Sequence, residues 1–322
     1  MHFDECYNNT MTGNIVNDNK WGLYFSNDCD NNTISGNTVN NNKWYGIYFN
    51  DGDYNNIMGN TVNDNDYGIY LKSYSVNNNI SGNIANNNNL DGIYLYLYCN
   101  NNTISDNTAN NNDDNGIYLD DNCDYNIISG NTANENSNGI YFEAFCNNNT
   151  ISGNTVNDGS GIGMFLSDSY YNNITGNTAN NNTGGGIQLS SCDYNSIVGN
   201  DATNNSVGIE LSTCNNNAIS GNTAINNSLG IYLYNCDYNT VSGNAANDNT
   251  DGIYLEESND NTISGNTANE NSQNGIYLYF CDYNNITGNT ANNNDDNGIY
   301  LDDNCDYNII SGNTANDNNA DS

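Results

Sequence analysis

A repeat of 22 to 24 residues running the length of the chain, an apolar–polar alternation of period two inside each repeat, and two columns of Asn that never lapse predict an all-β fold. The expected architecture is a parallel β-helix, a solenoid of about fourteen coils with three short strands per coil, filling residues 1–322 as a single domain without a clear linker or caps. The repeat is plainest at residues 107–134, NTANNNDDNGIYLDDNCDYNIISGNTAN, because the same 28 letters return unchanged at 289–316. A period this short cannot hold a pair of helices, so stacked strands must bury its apolar residues.

The first strand of a coil is Gly116-Ile117-Tyr118-Leu119, where Ile and Leu share one face and Tyr takes the other. The second passes through Asn126-Ile127-Ile128-Ser129 and the third through Asn131-Thr132-Ala133, each bounded by Gly, Asn and Asp that suit tight bends. Ile117, Leu119, Cys123, Ile128 and Ala133, with their equivalents, are therefore expected to line a narrow interior. One Asn column lies two residues before the core Ile, from Asn9 through Asn126 to Asn308; the other follows the Ser-Gly landmark, from Asn14 to Asn313. Both read as bends that tolerate left-handed backbone and whose amides stack along the axis.

Composition narrows the partners. With Lys20, Lys43 and Lys72 as the only cations, no Arg and a net charge of -35, the chain lacks the basic patch that draws nucleic acid or anionic membranes. No apolar run approaches the ~20 residues of a membrane span, and residues 1–6 do not resemble a signal peptide, so an extracellular or cell-surface location would need an export signal outside this chain.

The phrases Asn-x-Ile-Ser-Gly-Asn-Thr and Gly-Ile-Tyr-Leu resemble the parallel β-helix repeat of NosD-like proteins and of many archaeal surface proteins, over nearly the whole chain. The resemblance implies a right-handed coil. It implies little about activity, because this repeat serves polysaccharide-processing enzymes, copper-site maturation accessories and surface proteins alike.

Several columns are candidates for function. Cys6, Cys29, Cys99, Cys123, Cys146, Cys192, Cys214, Cys236, Cys281 and Cys305 share one phase, which suits a reduced packing ladder, partial disulfides between coils, or, with His2 as the sole imidazole, a metal site. Tyr24, Tyr48, Tyr70, Tyr94, Tyr118, Tyr141, Tyr232, Tyr254, Tyr277 and Tyr300 form an outward aromatic column, read as an exposed interaction face for glycans or another copy, or as ring stacking alone. Asn31, Asn101, Asn148, Asn181 and Asn226 stand in Asn-x-Ser/Thr sequons as candidate glycosylation sites, although several of the chain's sequons are expected to face inward. Stacked acidic runs such as Asp113-Asp114 and Asp120-Asp121 suggest calcium as a surface counter-ion; no other cofactor is implied.

Catalysis is not expected. Without Arg and with Lys confined to the N-terminal part, the chain has no base for lyase chemistry of the β-helix type, and the carboxylate pairs Asp120/Asp121, Glu256/Glu257 and Asp302/Asp303 lie in repeated surroundings. The main expectation is thus a non-catalytic surface protein that self-assembles, end to end and laterally, into a filament, sheath or layer. The alternative is a carbohydrate-binding or carbohydrate-processing β-helix module, with its departures from the repeat at 159–165, Gln188 and Glu210.

Overall fold

In the computed structural model, which describes residues 1–319, the chain is a parallel β-solenoid of fourteen coils in two compact units, each with seven strands in either of two parallel sheets. One unit comprises Met1–Ser160 with Asp168–Asn172, the other Gly161–Ser167 with the chain from Asn173 onward. Strands such as Asn115–Asp120 form the first sheet, and short strands such as Ile127–Ser129 form the second. Register is strict: Ile117, Tyr118 and Leu119 pair with Ile140, Tyr141 and Phe142 one coil on. The inward set is as the alternation predicts, with Ile117, Leu119, Cys123 and Ile128 fully buried and Ala133 at 1% exposure.

The third strand differs from expectation. At Asn-Thr-Ala the pairing shrinks to isolated parallel bridges, such as Thr108 to Thr132 and Thr132 to Thr155. The cause is local: Gly130 and Glu135, both with left-handed backbone (φ 63° and 58°), close in on the segment from either side and leave a single residue to bridge.

Corners follow one rule. In the coil around residue 120 the chain turns left-handed at Asn111, at the pair Asp121 and Asn122, at Tyr125 and at Gly130, and the residue after each turn, Asn112, Cys123, Asn126 and Asn131, points inward and is buried. The left-handed residue is therefore the one before each column Asn, not the column Asn itself. It also exposes a third Asn ladder that the sequence reading missed, running Asn42, Asn65, Asn88, Asn112, Asn136 in the first unit and Asn182, Asn205, Asn227, Asn249, Asn271 in the second.

The ladder amides bond to the coils before and after, although the buried Asn126 Nδ2 finds no partner. Asn131 donates from N and Nδ2 to Asn154 Oδ1 (2.9 and 3.0 Å) and from Nδ2 to the Ile104 carbonyl (2.9 Å), while its own Oδ1 accepts two bonds from Asn107. Two glycine columns serve the corners for different reasons. Gly153 has φ +61° with open space where a Cβ would be, so it is needed for its dihedral, and Asp106 takes the same phase with φ 55°. At Gly116 a Cβ would sit 2.6 Å from Ala133 Cβ and 2.7 Å from Asn136 Nδ2, so it is needed for its size.

Replacing Asn131 by Ala should lower the urea midpoint by the equivalent of about 3 kcal/mol or more, because several buried partners lose their bonds at once. A midpoint unchanged from the parent would mean that the ladder adds nothing to stability.

Candidate functional site

On the outer face of the first sheet in the first unit, three residue columns run side by side, and their composition changes from coil to coil. The central column is Tyr24, Tyr48, Tyr70, Tyr94, Tyr118 and Tyr141. It faces outward as expected but is not exposed: each ring covers the next, with centroids 4.6–5.3 Å apart, and Tyr48 and Tyr70 are only 7% accessible. Tyr232, Tyr254, Tyr277 and Tyr300 in the second unit stack likewise at 4.7–5.2 Å and are half-buried. Stacking at the coil spacing removes most of each ring from water, so period-two alternation correctly gives the side but not the accessibility.

More accessible rings lie elsewhere, the most exposed being corner tyrosines such as Tyr54 and Tyr125. Trp21 and Trp44, the only tryptophans in the chain, are 39% and 40% accessible. With Lys20, Tyr24, Tyr45 and Tyr48 they line a cleft of about 300 Å³. Trp21 stacks on Tyr24 (5.0 Å) and Tyr45 on Tyr48 (4.7 Å), so the floor is a fixed aromatic surface. Lys20 Nζ stands 4.8 Å from the Trp21 ring and Lys43 Nζ 5.5 Å from the Trp44 ring. Lys72 approaches Tyr96 to 5.5 Å on the same sheet. All three cations of the chain thus border one aromatic face. Reading single repeats hid this cleft, because each Trp looks like one more aromatic substitution until the coils are stacked.

Along the edge of that face, Ser26, Asn50, Lys72, Tyr96, Asp120 and Glu143 succeed one another in register. Asp120 accepts from Tyr94 Oη at 3.3 Å, and Glu143 from Tyr118 Oη at 2.8 Å. Burial, then the charge of Glu143, pushes the Asp120 carboxyl up, while the Tyr bonds pull the other way. Of the consecutive pairs named from sequence, Asp121, Glu257 and Asp303 sit at left-handed corners past the strand ends, and the charge of Asp121 adds a small upward push on Asp120. Elsewhere Glu256 accepts from Tyr232, Asp302 from Tyr277, and Glu210 from Gln188. A larger depression of about 440 Å³ at Asp248, Thr250, Glu270 and Ser272 holds amides, hydroxyls and carboxylates but no ring on which a ligand face could stack.

The Cys column continues the corner logic. All ten cysteines are free thiols, eight of them buried and Cys6 and Cys305 partly so. Each sulfur lies 3.0–3.3 Å from a backbone carbonyl. Cys192 N and Cys214 N donate to the sulfur of the next coil, the role an amide oxygen plays in the Asn ladders. Gly52 occupies the phase between Cys29 and Ser75, and its N donates to Ser75 Oγ. Among the described residues no group of three or more His, Cys, Asp or Glu converges as a metal site. Asn31, Asn101, Asn148, Asn181 and Asn226 all stand exposed at left-handed corners. None of the chain's sequons is buried, against the expectation for several: most precede a ladder Asn at a corner that turns outward, and Asn79, Asn173 and Asn285 open second-sheet strands on the side opposite the buried Ile.

Beside the aromatic floor, Asp91 is nearly buried and accepts from Asn115 N (3.1 Å) and Nδ2 (2.8 Å). Burial raises its carboxyl to about 7, with Asp114 adding to the shift and the Asn115 bonds opposing it. A carboxyl whose folded value is raised stabilises the fold fully below its unfolded value near 3.8 and loses that contribution as pH rises toward 7.

The family model described as periplasmic copper-binding protein (NosD) matches residues 91–229 and 208–322, and that of the right-handed β-helix region matches 1–133. No curated protein matches the chain. Among solved structures, the A-module of the Azotobacter vinelandii mannuronan C-5 epimerase AlgE4 superposes with a TM-score of 0.65 over 87% of this chain and 89% of its own, at 18% identity. A double mutant of the periplasmic alginate epimerase AlgG gives 0.58 over 91% and 75%, at 15% identity. DFA-IIIase from Arthrobacter chlorophenolicus A6 gives 0.52 over 62% and 56%, at 12% identity. At such identities the likeness is one of fold. It nevertheless overturns the expectation that the chain is not an enzyme, since the same coil is the body of epimerases and a repetitive β-helix is no ground for excluding catalysis.

Asp91→Asn should abolish a stability loss of about 2–4 kcal/mol between pH 4 and pH 7, because Asn can accept the same two bonds without charge. Urea midpoints of parent and variant at pH 4.5 and pH 8 check this; parallel pH dependence of the two would refute it.

Proposed function

The chain belongs to the NosD family of right-handed β-helix proteins, and from that premise we propose that it is a carbohydrate-binding and carbohydrate-processing module acting outside the cytoplasm on an acidic polysaccharide. The observation that carries the reading is the meeting of both Trp and all three Lys of a 322-residue chain on one aromatic face. A flat ring face matches the apolar face of a sugar ring, and an extended strand array matches an extended polymer. Ammonium groups at its border select carboxylated sugars. The net charge of -35 does not forbid this, because at physiological salt fields fade over about 8 Å and the local lysines dominate. The epimerases of like fold are named for mannuronan and alginate, which supports the same substrate class, and the family description supports a periplasmic or extracellular setting.

The family description also names copper, and the residues here do not fit that ion. Every thiol is within hydrogen-bonding distance of a carbonyl. Burial pushes Cys123 and Cys146 well up and Cys281 to about 12, away from the thiolate a soft metal needs, while hydrogen bonds with Cys192 and Cys236 pull the Cys214 thiol down inside the same buried ladder. The sole imidazole is His2. Assembly into a filament draws on sequence features alone, and nothing among the comparisons supports it.

Titration calorimetry with oligouronates against neutral dextran oligomers tests the proposal. Trp21→Ala and Trp44→Ala should each weaken oligouronate binding about tenfold, equivalent to ~1.4 kcal/mol. Lys20→Gln with Lys43→Gln should remove the preference for the charged sugar and its salt dependence. A Trp21/Trp44 double variant that binds as the parent does would refute the proposed face.

A further inference from the structure

We propose that Asp120 and Glu143 are the acid–base residue and the nucleophile that hydrolyse a glycosidic bond of the polymer held on this face, with Tyr94 and Tyr118 orienting their carboxyl groups. The inference rests on the carbohydrate reading above. Its ground is a juxtaposition that no single repeat contains: Asp120 and Glu143 are register partners on neighbouring coils, about 5 Å apart along the axis. Residues 107–134 and 289–316 are identical, so Asp302 copies Asp120 in sequence and also in its surroundings on the preceding coil, where Tyr279 answers to Tyr96 and the bond from Tyr277 to that from Tyr94. Along this edge column, among the described residues, two carboxylates meet on adjacent coils only at Asp120 and Glu143. Duplication, which argued against a unique site, instead supplies an internal control.

The roles follow from the surroundings. Asp120 is the more enclosed carboxyl and the one whose affinity for a proton is raised, by burial and by Glu143. It donates that proton to the glycosidic oxygen as the bond from C1 to that oxygen breaks. Glu143, more exposed and held by Tyr118 Oη at 2.8 Å, bonds to C1 as that bond breaks, the two-step course that a pair about 5 Å apart allows. A water then gives a proton to Asp120 as its oxygen replaces Glu143 at C1, so one water is consumed, one glycosidic bond is lost and both carboxyl groups return to their starting state. Lys72 lies two coils before Asp120 on the same edge, about 10 Å away, where it can hold a sugar carboxylate while the chain crosses the pair.

The test uses the full chain with alginate and polygalacturonate, measuring new reducing ends and, separately, polymer binding. The parent should cleave at least one polymer. Asp120→Asn and Glu143→Gln should each slow cleavage about 100-fold or more, with binding within about threefold of the parent and unchanged melting curves. Asp302→Asn should cleave at the parent rate. Loss of the alkaline limb of the pH–rate profile in Asp120→Asn identifies it as the acid, a change that a merely structural role would not produce. Cleavage at the parent rate by Asp120→Asn or Glu143→Gln, or a polymer bound by the parent and left uncut, overturns this inference and leaves the binding reading standing. Failure of the parent to bind either polymer overturns both.

Discussion

Everything in this protein depends on how a chain that reverses direction several times per coil satisfies the polar groups of its corners. A corner buried in a solenoid strands backbone N–H and C=O groups that no sheet ladder can reach, and each would cost roughly 1–3 kcal/mol if left bare. Here a left-handed residue turns the chain and the next residue drives an amide into the interior, where it bonds to the coils before and after. The backbone's own demand is thereby met by side chains at the coil spacing. This explains why so Asn-rich a chain is ordered: the amides replace the hydrogen bonds that longer strands would have supplied.

The same constraint organises the less regular columns. Cys and Ser take one corner because a sulfur or hydroxyl can accept the N–H of the preceding coil and donate to a carbonyl, a smaller version of the amide exchange. The acidic residue after that corner is used in the same way. Asp193, Asn215, Asp237 and Asn259 each accept the backbone N–H one coil on, so over this stretch Asp and Asn alternate and the charge per coil is halved without loss of the bond, whereas Asp30 and Asp282 make the same bond to another Asp. Much of the net negative charge is therefore compatible with tight stacking because carboxylates act as acceptors that amides could equally supply.

How far the sequence could be read follows from the direction in which it is read. Alternation along one strand is visible in Ile117, Tyr118 and Leu119, and the inward residues follow from it. What lies across coils is not visible that way. The third Asn ladder sits inside runs such as Asn110-Asn111-Asn112, where only the inter-coil bonds of Asn112 single it out. The Tyr column was placed on the correct side and given the wrong accessibility, because its cover is the ring 22 to 24 residues away. Asp120 was sought beside Asp121, its neighbour in sequence, when its neighbour in space is Glu143.

A solenoid also changes what a departure from pattern means. In an ordinary domain a lone Trp on a surface strand is unremarked. Here a substitution is stacked directly on its counterparts, so two successive departures become one continuous patch: Trp21 with Trp44, Lys20 with Lys43, Asp120 with Glu143. Each coil contributes few outward side chains, and the inward residue of each corner is committed to a ladder. Chemistry is left with the outward positions of the strands, where the backbone makes no demand on the side chain. The aromatic and cationic coils and the acidic coils occupy the same face because that is the widest such surface in the repeat, six residues per strand at Tyr45–Asn50 against three at Asn56–Met58.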